Sequence, residues 1–210
     1  MTATLAAVGR TRAPASSRRG RPGYDIESLL KVAVSVFNEK GFDGTSMEDL
    51  SRRLGISKSG IYHHVSSKDE LLELALNRAL DGLAEVVDNT RQMQASAIER
   101  LEYLVKGSVL VLVRRTPFVR LLLRVHGNTA VERRALARRR EFDHFGADLV
   151  DQAAGDGAVL PRINPAITAK LLFGLVNSVS EWFTPQSKLD AERMADAIWQ
   201  VAFSGIGQPA

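Results

Sequence analysis

Cysteine is absent from the 210 residues. No disulfide framework, thiolate metal site or cysteine nucleophile is therefore available. No apolar run approaches the roughly 20 residues that span a bilayer; the densest is Val109 to Val113. The first residues lack a basic stretch followed by an apolar one, so no secretory signal is predicted. These absences predict a cytoplasmic chain, nucleoid-associated if it binds DNA, with no membrane partner. Hydrophobic residues make up 45% and charged residues 25%. That balance excludes collagen-like, low-complexity and disulfide-scaffold classes and fits a globular protein. The length predicts one or two domains, with roughly 70% of the unfolded surface buried on folding.

Charge is distributed unevenly. Residues 1–23 carry five arginines and no acid, and residues 114–140 carry nine arginines against Glu132 alone. Such basic islands point to polyanionic partners or to a solvated face. Residues 1–23 are rich in Ala, Ser, Thr, Arg, Gly and Pro without periodicity, which predicts a disordered basic arm. Within it, an extended Arg18-Arg19-Gly20-Arg21-Pro22 suits a narrow minor groove, making Arg19 and Arg21 candidate DNA contacts.

From Asp25 onward the pattern is helical, and the expected fold class is all-α. Asp25 caps a first helix with Ile26, Leu29, Leu30, Ala33, Val36 and Phe37 on one face, ended by Gly41. Thr45 and Glu48 form a capping-box pattern before a helix over 46–54. Gly55 stops it, and Ser57 caps a third helix through Val65. Ser67 and Glu70 form another capping box and open a long helix. Further helices are expected over 96–113, 117–125 (capped by Thr116, with Pro117 first), 129–154, 164–184 (capped by Asn164) and 190–204. Adjacent imidazoles at His63 and His64, with no carboxylate at helical spacing, make a poor metal site, so no metal is expected. The region after residue 72 shows no Gly-x-Ser-x-Gly, phosphate-binding glycine loop or His-Glu-x-x-His. No catalytic residue and no enzyme activity are expected.

The pair of helices over 46–54 and 57–65, joined by a tight glycine turn, has helix-turn-helix spacing. The run from Gly55-Ile56-Ser57-Lys58-Ser59-Gly60-Ile61-Tyr62-His63-His64-Val65 to Ser66-Ser67-Lys68-Asp69-Glu70-Leu71-Leu72 resembles the N-terminal signature of the tetracycline-repressor (TetR) family. Gly41-Phe42-Asp43-Gly44-Thr45-Ser46 and Met47-Glu48-Asp49-Leu50 fit the same pattern, and the resemblance covers residues 25–72. Val65 departs from it, since the family mostly has Phe there. The resemblance implies a DNA-binding domain over 24–70 and an effector-binding and dimerisation domain over 71–210. It implies that Thr45 and Ser46 hold a phosphate, that Ser57, Lys58, Ser59 and Gly60 face bases, and that Lys58 is the best guanine reader. Tyr62 and His63 would grip the backbone. Lys68 and its helix N-terminus would meet one phosphate.

In the remainder, Arg120 and Arg124 lie one turn apart beside Phe118 and Leu121. On the helix over 129–154 the inward stripe runs Val131, Ala135, Arg138, Phe142, Phe145 and Leu149. A buried arginine there needs a partner. An apolar pocket rimmed by these arginines, with Asn177 opposite, suits an amphipathic anion such as a coenzyme A thioester; an arginine face with Arg138 paired to an acid is the other reading. The resemblance adds that family members repressing fatty-acid, steroid and phenylacetate breakdown respond to such thioesters, and that the last two helices pair across a two-fold axis. Gly174 and Ser178 would allow close approach there, with Trp182, Ile198 and Trp199 filling the homodimer interface. The expectation is thus a dimeric repressor binding double-stranded operator DNA and released by a small-molecule effector, with no resident cofactor. A helical enzyme acting on an acyl thioester, or an effector-free architectural DNA-binding protein, would share the helical pattern.

Overall fold

The computed structural model describes residues 25–159, 164–184 and 190–205. The described chain is helical: α1 (Ile26–Lys40), α2 (Met47–Leu54), α3 (Lys58–Tyr62), α4 (Lys68–Gln92), α5 (Ala97–Arg114), α6 (Thr116–Arg124), α7 (Ala130–Gly155), α8 (Pro165–Trp182) and α9 (Ala191–Ser204).

Local chemistry sets most of these boundaries. The Asp25 carboxylate accepts from the Ser28 N–H (2.8 Å) and starts α1. Ser96 with Glu99, and Thr129 with Glu132, form reciprocal capping boxes at α5 and α7. Asn164 caps α8, and Pro165 follows in the first turn, where a missing N–H costs nothing. Gly55 closes α2 in a left-handed conformation (φ 66°) that a side chain would strain.

Four helix ends differ from expectation. The cap of α2 is Ser46 with Asp49, in place of Thr45 with Glu48. Thr45 is buried, and its hydroxyl donates to the Gly41 carbonyl (2.7 Å), sealing the end of α1. Thr116 does not cap α6 either; its hydroxyl turns back to the Leu112 carbonyl (2.8 Å) at the end of α5. At α4, Ser67 accepts from the Glu70 N–H, but Glu70 reaches Ser66, leaving the expected box half-formed. The third helix is also shorter than predicted, ending at Tyr62.

One continuous apolar core runs from the first helices through the last. Leu29, Leu30, Ala33 and Phe37 from α1 meet Leu50 and Leu54 from α2, Ile61 from α3, and Leu71 and Leu72 from α4. The buried Leu101, Leu104, Val105 and Val109 place α5 at the centre of the larger helical body, where it packs against α4, α7, α8 and α9. Both α4 and α6 touch α1, so two helices link the N-terminal head to that body. A side chain at Gly146 would put its Cβ 2.5 Å from a ring carbon of Phe173, so α7 and α8 approach closely there. No helix among the described residues is long and apolar enough to cross a membrane.

Candidate functional site

The α2–turn–α3 unit presents a polar outer face. Leu50, Leu54, Ile61 and Val65 point into the core, which fixes the orientation of both helices. Ser57, Lys58, Ser59, Tyr62 and His63 are exposed. Tyr62 is 49% exposed and so is not a core aromatic. Ser57 accepts from the Gly60 N–H (3.2 Å) and shares a hydrogen bond with the Ser59 hydroxyl (2.9 Å). A Cβ at Gly60 would meet only ordinary contacts, so backbone closeness does not demand glycine there.

Lys58 is held back by Glu48 of α2, 2.7 Å from its ammonium. Each partner shifts the other: the Glu48 carboxyl titrates below, and the Lys58 ammonium above, its ordinary range, by hydrogen bonding first and charge second. The pair is exposed, so its net strength is small, and a phosphate or guanine edge can take Lys58 over. Glu48 was not anticipated as its partner. Arg52, exposed on the last turn of α2 with no ion pair among the described residues, also escaped the sequence reading. Ser46 is exposed but engaged with Asp49, whose carboxyl is held well below the usual range by hydrogen bonds from Lys40 and Ser46.

Two residues expected at a phosphate make contacts within the protein. Thr45 faces inward, as described. The Lys68 ammonium donates to the Phe42 and Thr45 carbonyls (2.9 and 2.8 Å) and sits 4.2 Å from the centre of the Phe42 ring. It braces the α1–α2 loop against α4. Arg19 and Arg21 lie outside the described residues.

A cavity lies where five helices converge. It is lined by Leu83 of α4, Ser108 and Leu112 of α5, Val119, Leu122 and Leu123 of α6, Arg139, Phe142 and Asp143 of α7, and Phe173, Val176 and Asn177 of α8. Its free volume is about 30 Å³. The Phe142 and Phe173 rings meet inside at 4.7 Å. Burial lifts the Asp143 carboxyl above its ordinary range, partly offset by the charges of Arg139, His144 and Lys170. A larger cleft of about 460 Å³ opens between α4 and α5, but no residue of α6, α7 or α8 reaches it. The walls of the smaller cavity include α4 and α6, the two helices that touch α1.

Of the residues expected in an effector pocket, Phe142 and Asn177 line this cavity and the others do not. Phe118 packs on the core from outside, and Leu121 is buried away from the cavity. Arg120 donates to the Ser180 carbonyl (3.0 Å), tying α6 to α8. Arg124 donates to the Asn38 carbonyl (3.0 Å) on α1. Arg138 pairs with Asp81 (2.8 Å) and Asn77 (2.9 Å) on α4, as the acid-paired alternative held. Phe145 lies beneath the Arg91 guanidinium at 5.0 Å. The arginine in the cavity is Arg139. Successive residues of a helix point about 100° apart, so a one-residue choice sends the fork to a different neighbour. The packing of α7 against α4, α5 and α8 decides which.

The expected dimer residues divide in two. Gly174, Ser178 and Trp182 are exposed on α8, whereas Ile198 and Trp199 are half-buried, Trp199 stacking on Phe203 at 3.8 Å. Ile167, Leu171 and Leu175 extend the exposed apolar stripe of α8, and Val201 adds to it from α9.

Comparison with known proteins agrees with this architecture. Residues 29–75 match the family of bacterial regulatory proteins of the tetR type, and residues 94–206 match the tetracyclin repressor-like C-terminal domain. A TetR transcriptional regulator family member from Streptomyces coelicolor A3, SCO3833, is 48% identical, with 86% of this chain and 91% of that one covered and a TM-score of 0.81. The structure of AibR in complex with isovaleryl coenzyme A and operator DNA is 26% identical, covering 85% and 97%, with a TM-score of 0.72. The HTH-type transcriptional repressor KstR2 of Mycolicibacterium smegmatis is 23% identical over 90% of this chain and 93% of its own. Both halves of the chain thus match the family that the head and the helical body indicate, and the protein belongs to the TetR family of DNA-binding transcriptional regulators.

Proposed function

We propose that the protein is a dimeric transcriptional repressor that leaves its operator when an effector, a coenzyme A thioester, enters the central cavity. The observation that carries this reading is the double role of α6. One side of α6 lines the cavity through Val119, Leu122 and Leu123. Its ends grip α1: the Asn38 amide donates to the Pro117 carbonyl (2.9 Å), and Arg124 donates to the Asn38 carbonyl (3.0 Å). A ligand that widens the cavity pushes α6, and α6 carries α1 and the reading helix with it. This route complements a swing of α4, which also lines the cavity and touches α1.

Operator binding draws on Ser57, Lys58, Ser59 and Gly60 for bases and on Ser46, Tyr62 and His63 for phosphates. One five-residue reading helix touches only a half-site, so two copies are needed, with half-sites about 34 Å apart. The exposed stripe Ile167, Leu171, Leu175 and Trp182 supplies an apolar surface for the second copy. The thioester reading draws on the AibR complex, whose ligand is isovaleryl coenzyme A.

A mobility-shift assay on the DNA upstream of the protein's own gene, with and without coenzyme A thioesters, tests the reading. A retarded band that a thioester abolishes is the expected result. No retardation at low salt would overturn the repressor reading. Retardation that no thioester relieves would overturn the effector class alone.

A further inference from the structure

Resting on the central cavity as the effector site, we propose that Arg139 and Asn177 read the carbonyl oxygen of a short acyl group, and that the rest of the ligand leaves the cavity between Leu83 and Phe142. The acyl tail lies against Leu112, Val119, Leu122 and Phe173.

Of the five arginines on α7, Arg139 lines the cavity, and Arg140 is exposed to solvent. Arg133 donates to the Gly127 and Asn128 carbonyls (3.1 and 3.2 Å), Arg134 pairs with Glu73 (2.8 Å), and Arg138 pairs with Asp81 (2.8 Å). Arg139 has no hydrogen bond or ion pair among the described residues, although it lines a largely apolar wall. Asp143, one turn along α7, stands beyond ion-pair distance and has no hydrogen-bond partner among the described residues. The Asn177 amide, facing the same space from α8, has none either. All three side chains are half-buried and their polar atoms still reach water, so a ligand can engage them without breaking a protein contact. Two donors lining one cavity from the packed helices α7 and α8 suit one oxygen with two lone pairs, a carbonyl or a carboxylate. Apart from Ser108 and Asp143 the remaining lining is apolar, and its tightness selects a short or flat tail.

The way out follows from shared walls. Leu83 and Phe142 line both the inner cavity and an outer pocket of about 130 Å³ between α4 and α7. These two side chains therefore stand between the cavity and that outer pocket. At about 30 Å³ the closed cavity admits little more than water, since one water needs roughly 10–15 Å³. An acyl group must displace Phe142, and Phe142 touches the Phe173 ring. A bulky head remains outside, along α4 and α7.

Calorimetric titration of the full-length protein tests this with isovaleryl-CoA, phenylacetyl-CoA, the two free acids and coenzyme A itself. A thioester that binds while its acid does not identifies a thioester carbonyl; a binding acid identifies a carboxylate. In either case Arg139→Met is expected to weaken binding at least tenfold, and Asn177→Leu several-fold. Circular dichroism and the melting temperature of both variants report whether the fold is retained, and Arg139→Lys is expected to recover part of the loss. Unchanged affinity in Arg139→Met and Asn177→Leu would overturn the proposal while leaving the effector site in place. Coenzyme A binding as tightly as its esters would also overturn it. If neither esters nor acids bind, the proposal falls together with the thioester reading, while operator binding stands on its own assay.

Discussion

Replacing Lys68 by methionine separates two roles for this side chain. If Lys68 is a brace, Lys68→Met removes two hydrogen bonds from an ammonium to the Phe42 and Thr45 carbonyls and a cation–π contact at 4.2 Å, while keeping the aliphatic stem. A hydrogen bond to a charged group contributes about 1.5–3 kcal/mol, and a half-exposed one lies at the low end. The cation–π contact adds about 0.5–1 kcal/mol. Water can reach part of the vacated space, so the net loss is about 2 kcal/mol. For a chain of this size that lowers the melting temperature by roughly 4–8 °C. Urea unfolding, with the slope checked for constancy, measures the loss. Operator affinity as a function of salt, measured on the same protein, completes the test. A brace predicts lowered stability with an unchanged salt slope. Unchanged stability, with weaker binding and a salt slope reduced by about one, would refute the brace and restore the phosphate contact.

Gly146→Ala should lower stability by about 1 kcal/mol in urea unfolding: overpacking against Phe173 costs about 1–3 kcal/mol, and the better helix propensity of alanine returns roughly 1. Asp143→Asn should raise the melting temperature at pH 7. Burial lifts the folded-state pKa of Asp143, so the folded protein binds this proton more tightly than the unfolded chain does. The penalty is fully present above the folded pKa and disappears as pH falls below the ordinary carboxylate range. The gain should vanish over that window in a melting series. Leu171→Glu, on the exposed stripe of α8, should shift the protein toward monomer in sedimentation and weaken operator binding together.

Helix number and order were legible because the caps are chemical. Asp25, Ser96, Thr129, Asn164 and Asp190 each accept from an N–H of the first turn that follows, and each precedes an apolar 3.6 period. The failures are equally local. Thr45-Ser46 offers two hydroxyls, and pattern alone cannot say which caps the helix. The choice depends on whether a neighbouring carbonyl, such as that of Gly41, claims the first hydroxyl. The exposed face of α3 was legible because Ile61 and Val65 fix what points inward. The cavity was not. Its arginine is set by the rotation of α7 against α4, α5 and α8, a long-range packing with no signature in the run Arg138-Arg139-Arg140. The apolar stripe of α8 shows the converse: an all-round hydrophobic helix announces burial on more than one side, and only the packing shows which side the monomer leaves open.

The clasp between α6 and α1 gives the effector response a measurable form. Asn38 lies at its centre: its amide donates to the Val34 and Pro117 carbonyls (3.0 and 2.9 Å), its own carbonyl accepts from Arg124, and its side-chain oxygen is buried without a partner among the described residues. A buried oxygen left unpaired is costly. Arg124→Met removes one donor from an exposed position, at a stability cost of about 1 kcal/mol. If α6 transmits the signal, the variant should bind effector with unchanged affinity yet need more of it to leave the operator. Coupling between two binding sites is reciprocal, so operator DNA should also weaken effector binding less in Arg124→Met than in the wild type, by the same factor. Effector titrations with and without operator measure both sides of that equality. An unchanged factor would mean that α4 carries the signal alone, and the contacts between α6 and α1 would then only position the head.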